Sequence, residues 1–346
     1  MKILHATNHY FPCVGGIESQ VRDLCHQLTA RGHQADVLCL NRCSDGRPLP
    51  ATSRDGQVTV TRVPFVDLKY YKVAGNLLQY IEGYDVIHVH GLGYFLDLLA
   101  STKRIHRKRL VLSTHGGFFH TPSLGTLKKL HFSTLTRLAL RNVDRVVAVS
   151  KEDARRFSAI TGRVEHLPNA IDTSRFRPGR KAKASFVSVG RSASNKRLDL
   201  LLRAFKGLES RATLTLVGDP GLQSVVRNAG MERSVTVLAD ASEREKLRAL
   251  ARAQFIVSAS AYEGFGVAVL EGMAAGCVPV VSPIPAYKEL VGDAGFFIDF
   301  SAPGAADRLR RVVTSPLAAK QRRARLRAAA YDWKRIILAW ERIYTG

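Results

Sequence analysis

A chain of 346 residues, 46% of them hydrophobic, is long enough for a substantial core and is expected to form two domains. It carries 52 Lys+Arg against 29 Asp+Glu, a net charge of +23, and no run of about 18 apolar residues, so no transmembrane helix is expected. The apolar part of the opening MKILHATNHYFPCVGG is too short for a signal peptide. The five cysteines (Cys13, Cys25, Cys39, Cys43 and Cys277) lack zinc spacing and are expected as small core residues in a reducing cytosol.

In chain order the pattern is strand, helix, strand. MKILHAT leads through Gly15–Gly16 into the helical run IESQVRDLCHQLTARG, followed by ADVLCLN. VTVTRV, DVIHVH, RLVLSTHG and DRVVAVS are compact apolar strands that end in polar residues or glycine. VEHLPNAIDTSRFRPGRKAKA, residues 164–184, has prolines, charge and no periodicity and reads as a linker. A second alternation follows: SFVSVG, LDLLLRAFKGL, TLTLVG, LQSVVRNAG, VTVLAD, EREKLRALARA, FIVSAS, VPVVS and GFFIDF. Two doubly wound α/β domains of similar size facing a cleft are expected, with ligands beyond the carboxyl ends of the strands. The terminal AYDWKRIILAWERIY puts Trp333, Ile336, Ile337, Trp340 and Tyr344 on one helical face that must be covered, and is expected to cross back to the first domain.

The candidate chemistry lies at strand ends. Gly15–Gly16 before a helix is a phosphate-cradle candidate, but the GxGxxG of dinucleotide folds is absent, which disfavours a nicotinamide oxidoreductase. In VGRSASNKRLD, Gly190 precedes Arg191 and Lys196, two cations suited to a diphosphate. His115 ends a strand and faces the expected cleft. His88 and His90 are assigned to opposite faces of their strand, which would keep them from holding one metal together. In AYEGFGVAVLEGMAAG, Glu263 precedes a glycine turn and Glu271 lies two turns into the following helix, acceptors for hydroxyls beside an anion-binding helix start. No DxD pair stands at a strand end, so any diphosphate would be neutralised without metal.

Basic residues are concentrated in KRIHRKR (103–109), Lys128–Lys129 and KQRRARLR (320–327). They read as an anionic membrane surface, an anionic substrate or solvated charge. A nucleic-acid footprint is disfavoured, since no such motif accompanies the charge.

EGFGVAVLE, GRSASNK, PNAID, the early GG and THG, in this order along the whole chain, together resemble the retaining glycosyltransferases of family 4, with the GT-B fold. The resemblance implies a division into 1–168 (acceptor-binding), 169–328 (nucleotide-sugar-binding) and 329–346 (the returning helix), with PNAID as hinge. It implies that Glu271 holds the ribose of a UDP- or GDP-sugar and that Glu263 contacts the transferred hexose. Arg191 and Lys196 would receive the leaving diphosphate. Gly15, Gly16, Gly190, Gly218, Gly264, Phe265 and Gly266 would line the donor, and His115 would lie near the anomeric bond. VGDPGLQ departs from the family's usual Gly-Asp-Gly turn at Pro220. The implied acceptor is a glycan or lipid-linked hydroxyl, bound by a first domain in which FFHTPSLGTLKKLHFSTL mixes apolar and cationic side chains; the location is cytoplasmic, peripheral to the membrane. A GT-B-shaped sugar-nucleotide epimerase, or a basic binding protein without catalysis, are the alternatives, separable by isomerisation of donor without acceptor and by nucleotide affinity.

Overall fold

The computed structural model describes residues 1–68, 71–116 and 131–346. The chain divides into two compact units, Met1–Asn169 with Trp333–Gly346, and Ala170–Asp332.

The first unit is built on strands β1 (Lys2–Thr7), β2 (Gln34–Leu40), β3 (Thr52–Asp55), β4 (Val58–Val63), β7 (Val86–His90), β8 (Arg109–Ser113), β9 (Arg145–Ala148) and β10 (Val164–His166). They form one sheet in the order β10-β9-β8-β7-β1-β2-β4-β3, parallel except for the β3–β4 pair. A separate hairpin pairs β5 (Phe65–Leu68) with β6 (Tyr71–Ala74). The central strands are apolar on both faces because helices cover both: every residue of β7 and all but the first of β1 and β2 are buried. The expected linker therefore begins later than its composition suggests, since Val164–His166 pairs with β9.

Helix Gly16–Ala30 buries Gln20, Val21, Leu24, Cys25 and Leu28, the three-to-four spacing of one face. Helix Trp333–Thr345 buries Trp333, Ile337, Trp340, Ile343 and Tyr344 in this same unit. Glu341 on its outer side accepts from Arg31 Nε (2.7 Å) and His33 Nε2 (3.0 Å) at the carboxyl end of the first helix.

One expectation about the cysteines fails here. Cys13 and Cys43 form a disulfide, Cα–Cα 5.5 Å. They follow β1 and β2, which are parallel neighbours, so the loops leaving those strands emerge side by side. Spacing along the chain carried no sign of this. Cys25, Cys39 and Cys277 are free, buried thiols.

The second unit has strands β11 (Ser185–Val189), β12 (Thr213–Gly218), β13 (Val235–Ala239), β14 (Phe255–Ser258), β15 (Val278–Val281) and β16 (Phe296–Phe297), all parallel in the order β13-β12-β11-β14-β15-β16. The chain enters and leaves this unit side by side: Ile171 N donates to Tyr331 O (3.0 Å) and Thr173 N to Asp332 (3.1 Å). No helix among the described residues is long and apolar enough to cross a membrane.

The buried face of the last helix generates a stability prediction. Trp340→Ala should lower the unfolding free energy by about 3–5 kcal/mol in a urea titration. Leu338→Ala, on a side chain 49% exposed, should change it by about 0.5 kcal/mol or less.

Candidate functional site

In each sheet the strand order reverses beside the first strand, between β1 and β7 in the first unit and between β11 and β14 in the second. Those are the points where a parallel sheet opens a crevice at its carboxyl edge. Gly15–Gly16 follow β1, His115 follows β8, Arg191 and Lys196 follow β11, Gly218 ends β12, and Glu263 follows β14.

In the second unit the carboxyl ends of β12, β11 and β14 bring together Gly218, Gly190 and Ser258. A small pocket there is lined by Gly190, Arg191, Lys196 and Ser258. Gly218 and Gly190 touch through backbone: a Cβ on Gly218 would lie 2.0 Å from the Gly190 carbonyl oxygen. Gly190 itself has φ +154, with Lys196 folded against it. The loop after β11 is held from β12 by Asp219, which accepts from Ser192 N and Ser192 Oγ, both 2.6 Å, and from Gly221 N at 2.8 Å. Burial works against ionisation of Asp219, but these bonds hold its carboxyl below the usual range. Pro220 is therefore accommodated by an Asp219-capped turn. A Cβ on Gly221 would meet Ser192 Oγ at 2.2 Å and Asp219 Oδ1 at 2.7 Å, so a larger residue there would displace the Ser192–Asp219 bond.

Glu263 follows β14. Its Oε1 accepts from Lys196 Nζ (2.7 Å), Ser260 Oγ (2.7 Å) and Tyr287 OH (3.2 Å). Gly264 and Phe265 lead into Gly266, which has φ +105 and opens helix Val267–Ala274. A Cβ on Gly266 would lie 2.8 Å from the Tyr287 ring, so both backbone and space demand glycine. The Phe265 side chain is buried against Tyr331, ring centroids 5.5 Å apart. Glu271, in that helix, pairs through Oε1 with Lys246 Nζ (2.9 Å), which also contacts Glu243 (3.1 Å). Burial raises the Glu271 pKa and Lys246 opposes the rise; burial disfavours the Lys246 cation, yet Glu271 and Glu243 outweigh it. The two glutamates thus hold different lysines. Lys246 carried no local signal, since its helix meets Glu271 only in the fold.

In the first unit Gly15 is extended and Gly16, exposed, begins its helix; a Cβ on Gly16 would meet open space. His115 follows β8 with φ +47. The buried Asp153 fixes that turn, accepting from Thr114 Oγ1 and from Gly116 N (3.2 Å). His115 is joined to a histidine cluster: its Nε2 lies 3.0 Å from His90 Nδ1, and His90 Nε2 lies 3.0 Å from His5 Nδ1. His88 bonds Ser113 Oγ and Tyr344 OH, each at 2.8 Å. The assignment of His88 and His90 to opposite faces is overturned: their rings are 4.0 Å apart. Residues two apart in a strand share a face. His5, His88 and His90 consequently also form a group whose nitrogens lie within 4.8 Å of one another.

Two doubly wound units carrying these groups at their switch points are the architecture of a GT-B glycosyltransferase. The chain belongs to glycosyltransferase family 4: residues 14–175 match Glycosyltransferase Family 4 and residues 170–333 match Glycosyl transferases group 1. It is 34% identical over 99% of its length, and 93% of the relative's, to a GDP-mannose:cellobiosyl-diphosphopolyprenol alpha-mannosyltransferase of Komagataeibacter xylinus. A protein of the same name from Xanthomonas oryzae pv. oryzae is 30% identical over 97% of this chain and 94% of its own. Among solved structures, sucrose-phosphate synthase of Thermosynechococcus elongatus shares the fold with a TM-score of 0.79 at 18% identity, covering 100% of this chain and 98% of that one. Anabaena HepE in complex with UDP-glucose gives 0.78 at 19%, covering 100% and 99%.

Two outcomes follow from the packing. Gly218→Ala should destabilise the second unit by about 1–3 kcal/mol or more, read as a lowered Tm, because Gly190 backbone stands in the way. The histidine cluster sets an acid limit on the first unit. Burial lowers His5 to about 3 and His115 to about 4, and holds His88 and His90 well below 6.5. Folded pKa values below unfolded ones mean that stability is complete above about pH 6.5 and is lost as pH falls toward 4. Each histidine adds about 1.4 kcal/mol per pH unit to the slope in that window. Denaturant unfolding of the first unit between pH 7.5 and 5.5 checks this; a flat profile would contradict neutral, buried imidazoles.

Proposed function

We propose that this glycosyltransferase moves an α-mannosyl residue from GDP-mannose to a hydroxyl of a saccharide carried on a diphosphopolyprenol lipid. The observation that carries the reading is the full-length similarity to the two enzymes named for that transfer. An α-linked donor giving an α-linked product corresponds to retention at the anomeric carbon.

The geometry supports a division of labour. Lys196 has three N–H donors and gives one to Glu263, which leaves two for diphosphate oxygens. Arg191 is exposed beside it, within electrostatic reach of Asp219. The opening of helix Val267–Ala274 after Gly264, Phe265 and Gly266 adds free N–H groups and the positive dipole end. These cations and donors neutralise the departing diphosphate without a divalent metal. Glu263 and Glu271 each have one oxygen anchored by a lysine, and each offers the other to hydroxyls: Glu263 to the mannosyl residue, Glu271 to the ribose. Gly16 starts the first helix with open space where a Cβ would stand, which suits a phosphate oxygen at that N-terminus. His115 is the residue that the family resemblance assigns to the transferred sugar. The acceptor hydroxyl attacks the face of an oxocarbenium-like mannosyl group that the diphosphate leaves, forming the new C1–O bond as the C1–O bond to phosphate breaks and passing its proton to the departing phosphate oxygen.

The lipid end of the acceptor meets the first unit. Its segment Phe132–Leu140 exposes Leu135 (55%) and Leu138 (57%), with Arg137 and Arg141 also exposed. Arg104, Ile105 (72% exposed) and Arg107 form a second basic-apolar stretch. Such faces suit an anionic membrane surface, where the protein sits peripherally. Phe118, Phe119, Leu127, Lys128, Lys129 and Leu130, singled out in the sequence for the same surface, lie outside the described residues.

Incubation with GDP-[14C]mannose and cellobiosyl-diphosphopolyprenol should transfer label to the lipid, releasable by α-mannosidase and undiminished by EDTA. Label arriving from UDP-glucose instead, or only with added Mg2+ or Mn2+, contradicts the donor or the metal-free mechanism. Lys196→Ala and Glu271→Ala should fold normally and lose about 100-fold or more in turnover. The protein should sediment with phosphatidylglycerol vesicles and not with phosphatidylcholine alone; equal sedimentation would end the anionic-surface reading.

A further inference from the structure

Three imidazoles run in series from the interior of the first unit to His115. His5 on β1 is fully buried and His90 on β7 is 7% exposed, whereas His115 is partly exposed at the end of β8. The contacts are His5 Nδ1 to His90 Nε2 and His90 Nδ1 to His115 Nε2, both 3.0 Å. Burial keeps all three rings neutral near pH 7, so each carries one N–H and one lone pair.

That count allows two arrangements. If the protons point inward, His115 Nε2–H donates to His90, His90 Nε2–H donates to His5, and His5 is left with Nε2–H. His5 Nε2 is buried and has no hydrogen-bond partner among the described residues. If they point outward, His5 Nδ1–H donates to His90, His90 Nδ1–H donates to His115 Nε2, and His5 Nε2 keeps only an unused lone pair. A buried N–H without an acceptor is rarer than a buried acceptor without a donor. The outward arrangement is therefore favoured, and it leaves His115 with its proton on Nδ1.

We propose that His5 and His90 are positioning residues that fix His115 as the neutral Nδ1–H tautomer, so that it presents a hydrogen-bond donor, and no base, to an oxygen of the substrate. The relay itself stands on the geometry of the first unit; the last clause rests on the reading that places His115 at the transferred sugar. The turn at 114–116, held by Asp153, sets the ring's position, and the relay sets which nitrogen carries hydrogen. The same nitrogens could instead gather a metal ion through His5, His88 and His90. That would require His5 and His90 to exchange their mutual bond for the ion, and His88 to release Ser113 or Tyr344.

The test is long-range 1H–15N correlation on the full chain labelled with 15N-histidine. Assignments come from single His→Gln variants whose circular dichroism matches wild type. The expected result is a neutral His115 protonated at Nδ1, with spectra unchanged by equimolar Zn2+. His90→Asn, whose amide N–H can replace Nδ1–H, should preserve the His115 tautomer and most of kcat. His90→Leu, which has no donor, should release the tautomer and lower kcat by about 100-fold with little change in the KM for donor. A His115 protonated at Nε2 in wild type, or zinc-induced shifts of His5 and His90, overturns the relay. Full turnover by His115→Ala, alongside an Nδ1–H signal in wild type, would leave the relay standing and remove His115 from the active site.

Discussion

A carboxylate withdrawn from water must be met by a cation or take up a proton, and the second unit withdraws two of them at the carboxyl edge of one sheet. Lys196 meets Glu263 and Lys246 meets Glu271, in each case at one oxygen. The pairing does more than neutralise charge. It fixes the direction of each carboxylate, keeps the second oxygen available, and in the case of Lys196 leaves spare donors beside Arg191. The close packing around the pairs has the same effect of fixing position: Gly190 against Gly218, Gly266 against Tyr287, and Asp219 clamping the Ser192 backbone. These contacts tie the side chains at the strand ends to one another.

The alternation of strand and helix was legible because buried parallel strands are continuous apolar runs, as in DVIHVH and FIVSAS, and their carboxyl ends are marked by glycine or polar residues. Gly190, Gly218 and Gly266 were legible as special positions, although the reason for each lies in a neighbour far along the chain. What escaped was non-local or misjudged. Lys246 and Asp153 act on residues 25 and 37–39 positions away, which no local pattern connects. The Cys13–Cys43 bridge depends on the adjacency of β1 and β2. His88 and His90 were misassigned although the two-residue period of a strand places them together, and the error concealed the histidine series behind His115.

The net charge of +23 divides into two populations that composition cannot separate. Some of it holds the fold. Lys181 reaches the Leu250 and Ala275 carbonyls, Lys320 those of Asp293 and Gly295, and Arg327 those of Leu290 and Glu289. These cations close carbonyl groups at helix ends and turns, where a positive group is favoured. Arg104, Arg107, Arg137 and Arg141 are exposed next to apolar side chains instead.

The central claim is that cations in the second unit hold a diphosphate while Glu271 holds a ribose, and calorimetric binding of GDP and of guanosine separates the two functions. The account predicts that Lys196→Ala weakens GDP at least tenfold and leaves guanosine unchanged, whereas Glu271→Ala weakens both. Equal loss of guanosine and GDP in the lysine variant, or undiminished guanosine binding in the glutamate variant, would contradict it.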